Sequence, residues 1–171
     1  GALGRDLVGI GYPLRMSRNL ETLKSYIRAR FQGQDQKRTG AIVSSKFRKI
    51  GDWGIDAAPQ NFYYYGRWYE EPESDIKSGC RLETAITEFG CQGLELDLPL
   101  VCWGPDLCWE GGVWVVHHGK PRLVKDPKKL RFNAYRVLLT RGRDGIVVFV
   151  PPMPELDGTW EALAQAGFER L

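Results

Sequence analysis

Thr87-Glu88-Phe89-Gly90-Cys91-Gln92-Gly93-Leu94-Glu95-Leu96-Asp97 joins a short apolar run ending at Ala85 and Ile86 to a second one, Leu98 to Trp103. A strand that ends in a glycine-containing polar turn and leads back into a buried strand presents backbone N–H groups and side chains to a ligand. The simpler reading is a tight connection whose glycines only supply positive φ. Residue types alone leave both readings open, and the rest of the chain must separate them.

Working outward, Ala41-Ile42-Val43-Ser44-Ser45 and Ile146-Val147-Val148-Phe149-Val150 read as buried strands. Val113 to His117 and Arg122 to Val124 read as a hairpin turning around Gly119-Lys120-Pro121. Residues 12–31 carry a helical apolar period through Leu20, Leu23, Tyr26 and Ile27, with Ser17 or Asn19 as cap. Arg15 and Arg18 fall near that helix start, where the dipole disfavours cations unless an anion arrives. Asp126-Pro127 opens a second helix running to about Arg141, with Leu130, Ala134, Val137 and Leu138 along its apolar side. Residues 159–164 suggest a short terminal helix. The aromatic segment Phe62-Tyr63-Tyr64-Tyr65, with Trp53, Trp68 and Tyr69 nearby, reads first as a strand with core-facing rings. A base-stacking surface interleaved with Arg67 is its competitor.

Short apolar strands alternating with helices define an α/β layered domain with a mostly parallel sheet. Ligands of such sheets sit beyond the carboxyl ends of the strands. The loops after Ser45, after Thr87 and around Arg141 are therefore expected to share one edge.

The 171 residues suit one domain, and 43% hydrophobic with 26% charged residues is a globular composition. No apolar run reaches the roughly 18–20 residues of a membrane span, and the N-terminus lacks a signal-peptide profile, so a cytoplasmic location is expected. The chain starts without Met, which suggests a piece of a longer protein. Its charges are blocked: residues 15–49 hold ten Lys/Arg against Glu21 and Asp35, residues 50–112 hold twelve acids against three bases, and residues 113–145 are basic again. Two basic blocks could converge on a polyanion, or simply be solvated faces. Cys80, Cys91, Cys102 and Cys108 form no Cys-x-x-Cys pair and read as reduced thiols. His117 and His118 are neighbours that a strand would point to opposite sides, so no metal site is expected.

Three stretches together carry a resemblance. Arg18-Asn19 with Leu23 and Tyr26, Thr87 through Glu95, and Tyr135-Arg136-Val137-Leu138-Leu139-Thr140-Arg141 resemble motifs IV, V and VI of superfamily 1 DNA/RNA helicases. The chain looks like the second RecA-like motor domain of those enzymes, closest to the Schlafen-related bacterial family of predicted helicases, over about Tyr12 to Val150. The resemblance implies a RecA-like three-layer fold filling residues 1–171. It implies that Arg141 is an arginine finger and Arg18 a γ-phosphate contact, that Gln92, Gly93 and Glu95 lie at the nucleotide with Glu95 on the ribose, and that Thr87, Glu88 and Phe89 meet nucleic acid. It further implies ATP with Mg²⁺ in the whole protein, a track of single-stranded DNA or RNA, and a first RecA-like domain as partner.

The departures matter too. Phe89 stands where many relatives have His, and Gln92 where some have Lys. No Gly-x-x-x-x-Gly-Lys-Ser/Thr loop occurs, so this chain is expected to hold half of an ATP site and not to hydrolyse ATP alone. The competing readings are a non-catalytic nucleic-acid-binding or interaction module on a degenerate RecA-like fold, and a nuclease using Glu83, Glu95 and Asp97.

Overall fold

The computed structural model describes residues 11–117 and 125–171, together with Asp6 and Gly9. In chain order the elements are β1 (Leu14–Ser17), α1 (Leu20–Arg30), β2 (Thr39–Val43), β3 (Asp56–Ala57), α2 (Phe62–Glu70), β4 (Thr84–Thr87), β5 (Leu98–Cys102), β6 (Leu107–Glu110), β7 (Val113–Val116), α3 (Pro127–Leu139), β8 (Ile146–Phe149), α4 (Asp157–Ala166) and β9 (Glu169–Arg170). Seven strands form one sheet in the order β3-β4-β2-β5-β8-β1-β9, and every pairing in it is parallel.

Period-two alternation along the central strands divides the core in two. Met16, Ile42, Ile86, Val101 and Val148 face one side, where Trp68 of α2, Tyr135 and Leu138 of α3 and Leu163 of α4 cover them. Ala41, Val43, Ala85, Leu100, Cys102, Val147 and Phe149 face the other, against Leu20, Leu23 and Ile27 of α1. The result is the three-layer α/β arrangement of a RecA-like fold. Both sheet edges are closed by two-residue strands of exposed residues, including Asp56 at one and Glu169 and Arg170 at the other, which discourages further pairing. Trp68 can reach the sheet because Gly40 has no side chain: a Cβ there would stand 2.2 Å from the indole ring. Its Nε1–H donates to the Thr84 carbonyl at 3.1 Å.

Several elements differ from the sequence reading. Residues 12–31 hold a strand as well as a helix, and Asn19 provides the cap, its side chain accepting from the Thr22 N–H at 3.1 Å. The aromatic run is helix α2, because Asn61 caps it by accepting from the Tyr64 N–H at 2.8 Å and the helical turn delivers Trp68 to the core. β7 pairs antiparallel with β6 across Gly111 and Gly112, both at positive φ, which is the glycine pair a tight hairpin turn requires. The proposed partner strand, Arg122 to Val124, lies outside the described residues. On α3 the buried positions are Arg131, Ala134, Tyr135 and Leu138, while Leu130 is exposed.

Parallel topology fixes where the loops go. Arg18, Ser44, Ser45 and Glu88 follow strand ends, Thr87 is the last residue of β4, and all five sit at the carboxyl edge. Arg141 follows α3 and precedes β8, so it sits at the amino edge, where Leu96 and Gly142 form an isolated parallel bridge. Hence the expectation that the Ser45, Thr87 and Arg141 loops share one edge is corrected: only the first two do. No helix among the described residues is long and apolar enough to cross a membrane.

Candidate functional site

The β4–β5 connection travels from the carboxyl edge to the amino edge, and each end meets a different group of side chains. At the carboxyl end Glu88 is 4% exposed. Its carboxylate accepts from the Ser45 N–H at 2.6 Å and the Ser45 hydroxyl at 2.8 Å. Arg131, 1% exposed, lies 3.6 Å from Glu88 and 3.0 Å from Asp106, and donates to the Ser44 hydroxyl at 2.6 Å. Ser44 in turn donates to Asp106 at 2.7 Å, and the Tyr135 hydroxyl donates to Asp106 at 2.9 Å. Burial, followed by the Asp106 charge, drives the Tyr135 hydroxyl well above its ordinary pKa, so it stays a donor. This is a buried ionic network whose function is to hold the Ser44–Ser45 turn and the start of the connection in register.

Around that network the surface is different. Phe89 is 59% exposed, and Lys46, Arg48 and Lys49 are exposed on the loop that Glu88 anchors. The Thr87 hydroxyl is buried beside the Tyr65 phenol and has no hydrogen-bond partner of good geometry among the described residues. Arg18, also at this edge, pairs with Asp157 of α4 at 2.7 Å and lies 5.2 Å over the Trp160 ring. Arg15 pairs with Glu169 of β9. Both cations that seemed to await an anion are met by the C-terminal elements.

At the amino end, Arg141 packs on the Gly93–Leu96 stretch. Its Nη1 donates to the Leu94 carbonyl at 3.2 Å, Nε to the Val137 carbonyl at 3.0 Å, and Nη2 to the Thr140 hydroxyl at 3.2 Å. The Leu96 N–H donates to the Arg141 carbonyl at 2.9 Å, and the Arg143 N–H to the Leu96 carbonyl at 2.8 Å. Gly93 holds φ +81°, a left-handed conformation glycine adopts without strain, and Gln92 beside it is exposed. Exposed Glu95 pairs with Arg143 at 2.9 Å. Behind it Asp97 is buried, accepting from the Arg38 N–H at 2.7 Å and from Lys37 at 3.2 Å. Lys37 also bonds Asp144, and chiefly this bond raises the ammonium's pKa above the usual lysine range.

Thus the structure brings Gln92, Gly93 and Glu95 together with Arg141, and Thr87, Glu88 and Phe89 together with the basic loop. It does not bring Arg18 to Arg141. Their adjacent parallel strands place them at opposite ends, separated by about 13 Å of β1 alone. Glu83, Glu95 and Asp97 do not converge either: Glu83 bonds Arg81 at 2.8 Å and Asp97 is turned toward Lys37 and Arg38. Sequence reading missed Arg131, Asp106 and Ser44. One signal was available: stepping the α3 period from Arg131 instead of Leu130 joins Tyr135 and Leu138 on one face and puts an Arg in the core phase.

Fold and site define a RecA-like α/β domain with polar groups gathered at both ends of one connection. The family model described as Schlafen group 3, DNA/RNA helicase domain, matches residues 4–152. The chain belongs to that Schlafen group 3 helicase-domain family, and its role is helicase-related. No curated protein and no solved structure matches the chain.

Proposed function

We propose that this chain is the second motor domain of an ATP-dependent DNA or RNA translocase, supplying one wall of a nucleotide site that a first RecA-like domain completes. The observation that carries this reading is the contact of Arg141 with Leu94, 3.2 Å from guanidinium to carbonyl, beside exposed Glu95. A cation, an exposed carboxylate held only by the surface pair with Arg143, and an open glycine backbone within one short segment suit a phosphate, ribose hydroxyls and close ligand approach respectively. Glu95 would hold the ribose, Gly93 and Gln92 would line the nucleotide, and Arg141 would face the phosphates. ATP with Mg²⁺ supplies phosphoryl-transfer chemistry when bound; no residue here is assigned to the metal, which falls to the first domain. Thr87 and Phe89, with Lys46, Arg48 and Lys49, would meet a single strand, Phe89 by stacking and the cations through phosphates. Glu88 acts in this scheme as a positioning residue, since its carboxylate already holds Ser45.

The test is ATP turnover in a protein that contains both motor domains. Arg141→Ala should lower it by about 10³–10⁵, with thermal unfolding recorded on the same sample. Turnover at the wild-type rate would end the finger assignment. A second reading, a non-catalytic nucleic-acid-binding module, is favoured by one observation: the Arg141 guanidinium is engaged by the Val137 and Leu94 carbonyls and the Thr140 hydroxyl, a structural role that needs no nucleotide. Salt-sensitive single-strand binding unaltered by ATP and the first domain would select that reading.

A further inference from the structure

The β6–β7 hairpin offers a different chemistry, independent of the motor reading. Its register pairs Cys108 with Val115 and Glu110 with Val113. Directly opposed residues share a face and side chains alternate along each strand, so Cys108, Glu110 and His117, two beyond Val115, fall on one face. Glu110 and His117 reach toward each other across the Cys108–Val115 pair, and His117 Nε2 touches Glu110 Oε1. The sulfur of Cys108, the imidazole of His117 and the carboxylate of Glu110 each offer one ligand atom, all within 4.8 Å of one another.

We propose that Cys108, Glu110 and His117 form a site for a thiophilic divalent cation of the Zn²⁺ type. The donor set selects the metal. Thiolate and imidazole suit Zn²⁺, while Mg²⁺ and Ca²⁺ take oxygen ligands. Ligand atoms about 2.0–2.3 Å from one tetrahedral ion stand roughly 3.3–3.8 Å apart, so the exposed Glu110 and His117 side chains would give up their mutual contact to admit it. Three protein ligands leave the fourth tetrahedral position to water, on the side where Glu110 and His117 are open to solvent. The frame is firm. The Trp109 N–H donates to the Thr159 hydroxyl of α4 at 2.9 Å, Trp109 and Trp114 pack edge to face at 5.2 Å, and the His117 N–H donates to the Asp106 carbonyl at 3.2 Å.

Binding would release the thiol proton and replace the Cys108 Sγ contact to the Pro105 carbonyl, now 3.4 Å. The ion would tie the two hairpin strands at the last described residue before the segment leading to α3. The adjacency of His117 and His118 hides this site in the sequence, because the ligands meet across strands.

Titration of the 171-residue chain with Co²⁺, followed by competition with Zn²⁺, tests the proposal. The expected result is one Co²⁺ per chain with a thiolate-to-cobalt charge-transfer band, displaced by Zn²⁺. His117→Ala and Glu110→Gln, both at exposed positions, should each weaken binding at least tenfold, while Cys80→Ser leaves it unchanged. Cys108→Ser should remove the band, and if that variant does not fold, the two exposed variants still decide. Absence of binding, a bound Co²⁺ without the thiolate band, or full affinity in His117→Ala would overturn it.

Discussion

Glu88 and Glu95 belong to the same connection, seven residues apart, yet they live in opposite conditions. The Glu88 side chain is 5% exposed and bound to Ser45 and Arg131, whereas that of Glu95 is 68% exposed and, among the described residues, pairs with Arg143 alone. One end of the loop is fixed by a buried ionic network; at the other, backbone hydrogen bonds and the buried Asp97 hold the chain while Glu95 and Arg143 face water. Buried charge networks are costly to break because the surviving partners are left uncompensated. Exposed pairs are screened and exchange partners easily. The contrast teaches how one loop can be both anchored and responsive: the anchored end keeps Thr87 and Phe89 in place, and the open end leaves Glu95 free to exchange Arg143 for a ligand.

The largest effect that would break this contrast comes from the anchor. Arg131→Met strands Glu88 and Asp106 in the interior and should cost about 3–5 kcal/mol, read as a fall in the denaturant midpoint. Arg143→Ala at the open end should leave that midpoint where it was. Neutralising both carboxylates in the Arg131→Met background, by Glu88→Gln and Asp106→Asn, should recover part of the loss. Equal shifts for Arg131→Met and Arg143→Ala would mean that the two ends are not differently held.

A smaller effect sharpens the same contrast from the other side. Gly93 at φ +81° has open space where a Cβ would go, so Gly93→Ala tests conformation without a clash. The left-handed backbone should cost about 1–2 kcal/mol. Amide hydrogen exchange should locate the change at residues 92–96 and leave Ser45 and Glu88 protected. If exchange instead rose at both ends together, the connection would be behaving as one unit.

These differences also explain how far the sequence could be read. The parallel layered fold was legible because Ala41–Val43, Leu98–Cys102 and Ile146–Phe149 are continuous apolar strands buried on both faces. β1 was hidden because four residues, one of them Arg15, carry too little pattern beside the strong period of α1. α2 was misread because its run of Phe and Tyr favours strands locally, while the Asn61 cap and the burial of Trp68 decide for helix. The resemblance singled out Arg141 and the Gly93–Glu95 stretch separately; their contact with each other is a finding of the structure. Its place at the amino edge, opposite Arg18, is a property of strand direction that no short motif encodes. Arg131 with Asp106, and Cys108 with His117, assemble across elements distant in sequence, so composition and spacing were silent about both.

The smallest effect concerns Cys91, which lies between the two ends of the connection. Burial, opposed by the nearby Arg141, pushes its thiol from an ordinary value near 9 up to about 12, and burial does the same for Cys102 and Cys108. The folded state then holds protons that the unfolded chain gives up, so stability is fully present below pH 9 and declines as pH rises toward 12. Each thiol contributes a slope of about 1.4 kcal/mol per pH unit inside that window and nothing below it. Cys91→Ala should therefore remove one such slope from the alkaline unfolding profile while leaving the profile from pH 6 to about 8 parallel to that of the wild type. At pH 8 the native chain should yield one fast-reacting thiol, the half-buried Cys80, and slow reaction at Cys91, Cys102 and Cys108. Fast labelling of Cys91 at that pH would mean that the open end of the loop unseats its buried middle, and the division between an anchored end and a responsive one would have to be drawn nearer to Glu88.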